Sequence, residues 1–212
     1  MGQDPNDSEH LLRRAASGDQ AALPALWERH RARLRRLVQL RLDRRLHGRV
    51  DPSDILQEAY LDLAARLSDY ARERPMPAYL WMRLVAGQRL MQIHRQHLGA
   101  AMRDAGREVS LYRGALPQAS SASLAARMLG RLTTASQAAV RAERRVQLQE
   151  ILNGMDALDR EILALRHFEG LSNGESAQVL GLSKTAASNR YIRALGRLRD
   201  LVEQVPGFSD GG

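Results

Sequence analysis

"GLSNGESAQVLGLSKTAASNRYIRALGRLRDLV", residues 170–202, decides the fold. Ser172 followed three residues later by Glu175 is a capping box. The hydroxyl and the carboxylate each satisfy an amide that the first helical turn leaves without a partner. A short helix then runs to Gly181, with Ala177 and Leu180 inward. Gly181 supplies the left-handed turn that ends it, Leu182 plugs the core, and Ser183 caps the next helix. On that helix Ala187, Tyr191, Leu195 and Leu198 recur at spacings of four, four and three, the inward stripe of an amphipathic helix. Lys184, Thr185, Ser188, Asn189, Arg190, Ile192, Arg193 and Arg197 are left outside. Such a pair is a helix-turn-helix. Its second helix fits the major groove, where Asn and Arg read base edges. Lys184 and Arg190 are placed for phosphates, which position without specifying. Capping box, turn glycine, small inward residue and basic outer face coincide, which favours DNA over a merely solvated helix pair.

Charge sharpens this reading. The 212 residues carry 32 Lys+Arg against 24 Asp+Glu, a net charge of +8, and Lys184 is the single lysine. Residues 1–101 hold 17 Arg against 12 acids, residues 102–140 hold 5 against 2, and residues 141–212 hold 10 cations against 10 acids. Within that neutral last part, residues 184–199 carry five cations and no acid. A neutral domain with one basic helix says more about nucleic acid than uniform basicity does. The absence of cysteine excludes disulfides, thiolate metal sites and cysteine nucleophiles. No apolar run approaches the roughly 18 residues of a membrane span, and the polar start reads as no signal peptide. A soluble cytoplasmic protein without membrane partners is expected. No Gly-rich phosphate loop, H-E-x-x-H or triad spacing appears, so neither catalysis nor a cofactor is expected. His94 and His97 are spaced i, i+3 but lack a third ligand, so no metal is expected either.

Upstream, helical period dominates. Leu11, Leu12 and Ala15, then Leu23, Leu26 and Trp27, then Leu34, Leu37, Val38 and Leu42 form apolar stripes on arginine-rich helices, with Asp19 as a cap for the second. In "DPSDILQEAY" (51–60) Asp51 caps a further helix and Pro52 fits its first turn. Residues 68–79 read as a loop with two prolines, followed by a helix over 78–98. Residues 102–140 are rich in Ser, Ala, Thr and Gly and read as a linker with one weak helix near 122–132. The expected fold is all-α: a four-helix domain over 8–101, the linker, and a four-helix domain over 141–205 that ends in the helix-turn-helix.

Taken together, the chain resembles the extracytoplasmic-function group of alternative bacterial RNA polymerase sigma factors. Residues 157–199 look like their C-terminal domain, which reads the minus-35 promoter element. "DPSDILQEAYLDLAARL" (51–67) looks like the helix that docks on polymerase, and "YLWMRLVAGQRLMQIHRQH" (79–97) like the helix that captures the minus-10 element. The stretch 97–111 resembles planctomycete members. The resemblance implies core RNA polymerase (β′ clamp and β flap) and promoter DNA as partners, with an anti-sigma factor or a regulatory kinase as a further one. It assigns Asp54, Gln57, Glu58 and Asp62 to the β′ clamp, which explains an acidic helix face in a basic protein. It assigns Arg72, Arg74, Tyr79, Arg83, Gln88 and Arg89 to the minus-10 element. There a flipped base needs a pocket beside a cationic, aromatic-containing surface. Trp81 reads as core. Lys184, Thr185, Ser188, Asn189, Arg190, Ile192, Arg193 and Arg197 fall to the minus-35 element. The chain departs from the family at Gln88, where asparagine is usual, and in "KTAASNR", so promoter preference does not carry over. Ser53, at a place often acidic or small in the family, is a candidate phosphosite: a phosphate at a helix N-terminus is favoured by the dipole. The rival reading is a stand-alone helix-turn-helix regulator, which binds duplex DNA without polymerase.

Overall fold

The computed structural model describes residues 5–98, 116–130 and 138–204, and their regular structure is entirely helical. The chain divides into two compact units, Met1–Pro117 and Gln118–Gly212.

In the first unit α1 (Pro5–Ala16), α2 (Ala22–Arg41), α3 (Pro52–Ala65), α4 (Leu67–Glu73) and α5 (Ala78–Leu98) surround one core. This is one helix more than the sequence suggested. The spine is α2, which packs on α1, α3 and α5. Its Leu26, Leu34, Leu37 and Val38 are fully buried, on the helical spacing that the apolar stripe anticipated. Asp51 caps α3 by accepting the Ser53 amide at 2.7 Å, with Pro52 in the first turn. Ile55, Leu56, Ala59 and Leu63 are the buried face of α3. Asp19 accepts the Ala21 amide at 3.0 Å, just ahead of α2.

The segment expected to be a loop over 68–79 contains α4. Packing overrides its polar composition: Tyr70 is buried, its ring stacks on Trp81 at 3.8 Å, and its hydroxyl donates to the Met76 carbonyl at 2.6 Å. Arg74, at φ 42°, terminates the helix in the left-handed region, leaving a short connection to α5. The first amide of α5 is met by Glu9 Oε1 of α1 at 3.4 Å.

At the far end of α5, buried His94 accepts the Asp43 amide through Nε2 at 3.2 Å. It thereby ties α5 to the turn Arg44–Leu46 that follows α2. Burial holds its pKa below the ordinary histidine value; Asp43 opposes this shift and Arg45 adds to it. Asp43 itself is drawn down to about 2, chiefly by the Arg45 hydrogen bond.

In the second unit α6 (Ser121–Leu129) packs along α7 (Ala138–Gly154), with Leu124, Ala125 and Leu129 buried. This helix falls where one was expected, near 122–132, inside the span 102–140 read as a linker. Its Ser120 cap and its apolar face are what composition alone underweights. Then come α8 (Ala157–Leu163), running into a π-helical turn over Ala164–Phe168, α9 (Asn173–Leu180) and α10 (Lys184–Glu203). Arg160 donates through Nη1 to the carbonyls of Leu152, Asn153 and Met155, closing the end of α7. The reciprocal capping box is present: the Glu175 amide donates to Ser172 Oγ at 3.2 Å, and the Ser172 amide to Glu175 Oε2 at 2.7 Å. Gly181 sits at φ 64° and ψ 36°, and Ser183 accepts the Ala186 amide at 3.1 Å.

Two consequences are measurable. Gly181→Ala forces a Cβ into a left-handed residue and should destabilise the C-terminal unit by about 1–2 kcal/mol, read by urea unfolding of the full chain. For His94, the unfolded chain binds a proton below pH ~6.5 that the folded chain refuses. Stability therefore falls as pH drops below that value toward the folded pKa. His94→Gln should flatten the dependence of unfolding free energy on pH between about 7 and 5, in which one differentially bound proton changes stability by at most ~1.4 kcal/mol per pH unit.

Candidate nucleic-acid interface

The outward face of α10 is split by one carboxylate. Asp159, 2 % exposed on α8, receives Arg190 Nη1 on one oxygen at 2.7 Å and Arg197 Nη1 on the other at 2.6 Å. Arg190 also reaches Asp156, at 3.0 Å. Asp156 caps α8 through the amides of Leu158 and Asp159, and Arg190 and both amides help hold its pKa below the usual carboxylate range against desolvation. Arg190 and Arg197 are seven residues apart, two turns, so they straddle the same point of α8. A buried carboxylate must be paired, and a guanidinium on each oxygen pairs this one fully.

Arg190 and Arg197, expected among the DNA contacts, thus also tie α10 to α8. Lys184, Thr185, Ser188, Asn189, Ile192 and Arg193 form no side-chain hydrogen bond or ion pair among the described residues, and all are exposed except half-buried Ser188. The inward stripe differs slightly from expectation: Ala187, Ala194 and Leu198 are buried, while Tyr191 and Leu195 are half-buried. Tyr191 lies against the π-helical turn, its hydroxyl 2.9 Å from His167 Nε2 and its ring beneath the Arg166 guanidinium. The first turn of α10 is fastened to α9 by Asn173, whose Nδ2 donates to the Lys184 carbonyl at 2.8 Å. Asp159 was not legible as a partner in the sequence, since 31 and 38 residues separate it from its arginines.

The N-terminal unit presents the acidic face on α3. Asp54, Gln57 and Glu58 are exposed and Asp62 is half-buried. This face adjoins an arginine of the neighbouring helix that the family resemblance assigns to the minus-10 element. Arg89 of α5 donates to Asp62 Oδ2 through Nη2 at 2.7 Å and Nε at 3.1 Å, and lies 3.4 Å from Glu58. Beside it, Arg66 donates to Gln88 Oε1 at 2.7 Å. The helices α3 and α5 pack together, so residues assigned to two partners become neighbours.

The remaining minus-10 candidates divide. Arg72 is exposed and pairs with Asp69, and Arg74 is exposed, 3.9 Å from Glu9. Tyr79 and Arg83 are only 4 % and 2 % exposed. Tyr79 packs against His30 with the Arg33 guanidinium 3.5 Å over its ring, so it belongs to the core, as does Trp81. Ser53 stands in the first turn of α3 beside the Asp51 cap, and the like charge of that carboxylate opposes a phosphate there. His94 is buried and His97 exposed, so they do not converge. The stretch 97–111 lies almost wholly outside the described residues.

A capped two-helix unit with a free, acid-less stripe on its second helix defines a helix-turn-helix DNA-binding class. Comparison narrows it. The family model for ECF sigma factors matches residues 5–200, and the chain belongs to that family, whose members are transcription initiation factors that join RNA polymerase. It is similar to the RNA polymerase sigma factor NccH of Alcaligenes xylosoxydans xylosoxydans, at 27 % identity over 94 % of this chain and 97 % of that protein. It is also similar to the ECF sigma factor SigD of Mycobacterium tuberculosis, at 28 % identity over 91 % of this chain and 82 % of the relative. In fold it is similar to CnrH, solved in complex with the cytosolic domain of CnrY, at a TM-score of 0.54 and 21 % identity over 93 % of this chain and 97 % of that one.

The division of arginines on α10 has a direct test. Asp159→Asn should lower the stability of the C-terminal unit by about 2 kcal/mol, since it weakens two charge-assisted hydrogen bonds to a buried group. Arg193→Ala should leave stability within about 0.5 kcal/mol, as for surface substitutions generally. Denaturant unfolding of the two variants side by side makes the comparison.

Proposed function

We propose that this sigma factor divides its work between its two units. Asp54, Gln57 and Glu58 of α3 engage the β′ clamp of core polymerase, and the free stripe of α10 reads the minus-35 element. Arg72, Arg74, Gln88 and Arg89 hold the backbone at the minus-10 element. The observation that carries this reading is the charge of the exposed surfaces. One helix presents the exposed Asp54, Gln57 and Glu58, and another presents exposed Lys184 and Arg193 among polar side chains, with no acid of its own from 184 to 199. Such surfaces suit a protein partner and a polyanion respectively. Buried Tyr79 and Arg83 support the minus-10 surface from below.

Arg89 meets phosphate only by exchanging its Asp62 partner, and Asp62 meets the clamp only by exchanging Arg89. Binding at one face therefore alters the other. Site of action follows from the partners: the cytoplasm, and the nucleoid when in holoenzyme. Among the described residues no helix is long and apolar enough to cross a membrane. CnrH, solved with CnrY, offers the precedent for an anti-sigma partner of this chain; a kinase acting on Ser53 is a weaker proposal, given Asp51. The protein acts without catalysis of its own.

Run-off transcription with core enzyme and genomic promoter fragments tests the reading. Glu58→Arg should abolish co-elution with core polymerase and, with it, all transcript. Arg193→Ala should co-elute normally and lose promoter-specific transcript by roughly tenfold, the lower range for one base-reading contact. Specific duplex binding by the free protein, with no association with core, would support the stand-alone regulator instead.

A further inference from the structure

We propose that Ile192 reads the 5-methyl group of a thymine in the minus-35 element; this rests on the assignment of α10 to promoter DNA. Ile192 is 62 % exposed, and among the described large apolar side chains only Leu61 is as exposed. Its own fold cannot cover it. Ala187, Ala194 and Leu198 fix the buried side of α10, and Ile192 lies on the opposite side.

Its setting identifies what covers it. Ser188 and Asn189 precede it by four and three residues, so they share its stripe, and Arg193 follows directly. None of the three is held by a protein partner. A protein interface would present several apolar side chains with charge depleted at the centre. Here one branched hydrocarbon sits in a cationic, hydrogen-bonding frame. In the major groove the C5-methyl of thymine is the apolar mark on the base edges, and it is met by apolar side chains while Asn and Arg take the polar edges beside it.

The experiment uses holoenzyme reconstituted from the full chain and core polymerase, on a promoter whose minus-35 element has been mapped by footprinting. Each thymine of the element is replaced singly by deoxyuridine, which removes the methyl and leaves pairing intact. At one position the substitution should weaken promoter binding roughly fourfold, the factor that burial of one methyl group supplies. Ile192→Ala should weaken binding to the thymine promoter and erase the thymine–uracil difference at that position alone. Ile192→Val should retain a reduced difference, which separates loss of contact from loss of fold. The inference is overturned if no position shows a difference that Ile192→Ala erases, an element without thymine included. Specific transcription indifferent to every such replacement defeats the Ile192 assignment alone. Absence of promoter-specific transcription defeats the functional reading beneath it.

Discussion

The buried carboxylate of Asp159 is the constraint on which the DNA-binding unit depends. An ionised carboxylate that is 2 % exposed is tolerable only when fully paired. Two arginines from one helix pair it, and in doing so they fix the rotation of α10 about its axis. A rotation of one residue, 100°, would carry both guanidinium groups away from Asp159 and replace the free stripe with a different one. The set of side chains left unpaired on α10 is therefore chosen by an ion cluster that joins the helix to α8. The π-helical turn adds to this through His167 and Arg166, which hold Tyr191 between the same two arginines.

In the N-terminal unit the comparable contact is Arg89 with Asp62. Sequence places the acidic and basic side chains on separate helices, and the packing of α3 on α5 makes them neighbours, with the carboxylate and the guanidinium both part-buried. Part-burial strengthens such a pair relative to one in bulk water. Asp62 and Glu58 of α3 and Arg89 of α5 thus share one cluster of charge-assisted contacts.

Local chemistry was legible and distant chemistry was not. The capping box at Ser172 and Glu175, the turn at Gly181, the caps at Asp51 and Ser183 and the span of α5 each depend on residues a few positions apart, and each is where periodicity placed it. The stretch 68–79 was misread because two prolines and several charges outweighed one aromatic side chain, although the stacking of Tyr70 on Trp81 is what orders α4. At Tyr79 and Arg83 residue type pointed to the surface and the packing of α5 buried them. At Arg190 and Arg197 the sequence gives no sign of a partner more than 30 residues away.

The lone lysine has a practical consequence. In a chain whose other cations are all arginine, Lys184 is exposed at the first residue of α10. Apart from the α-amine, an amine-selective reagent finds a single target. A fluorophore attached there would label the first turn of α10 alone, with no engineered cysteine needed.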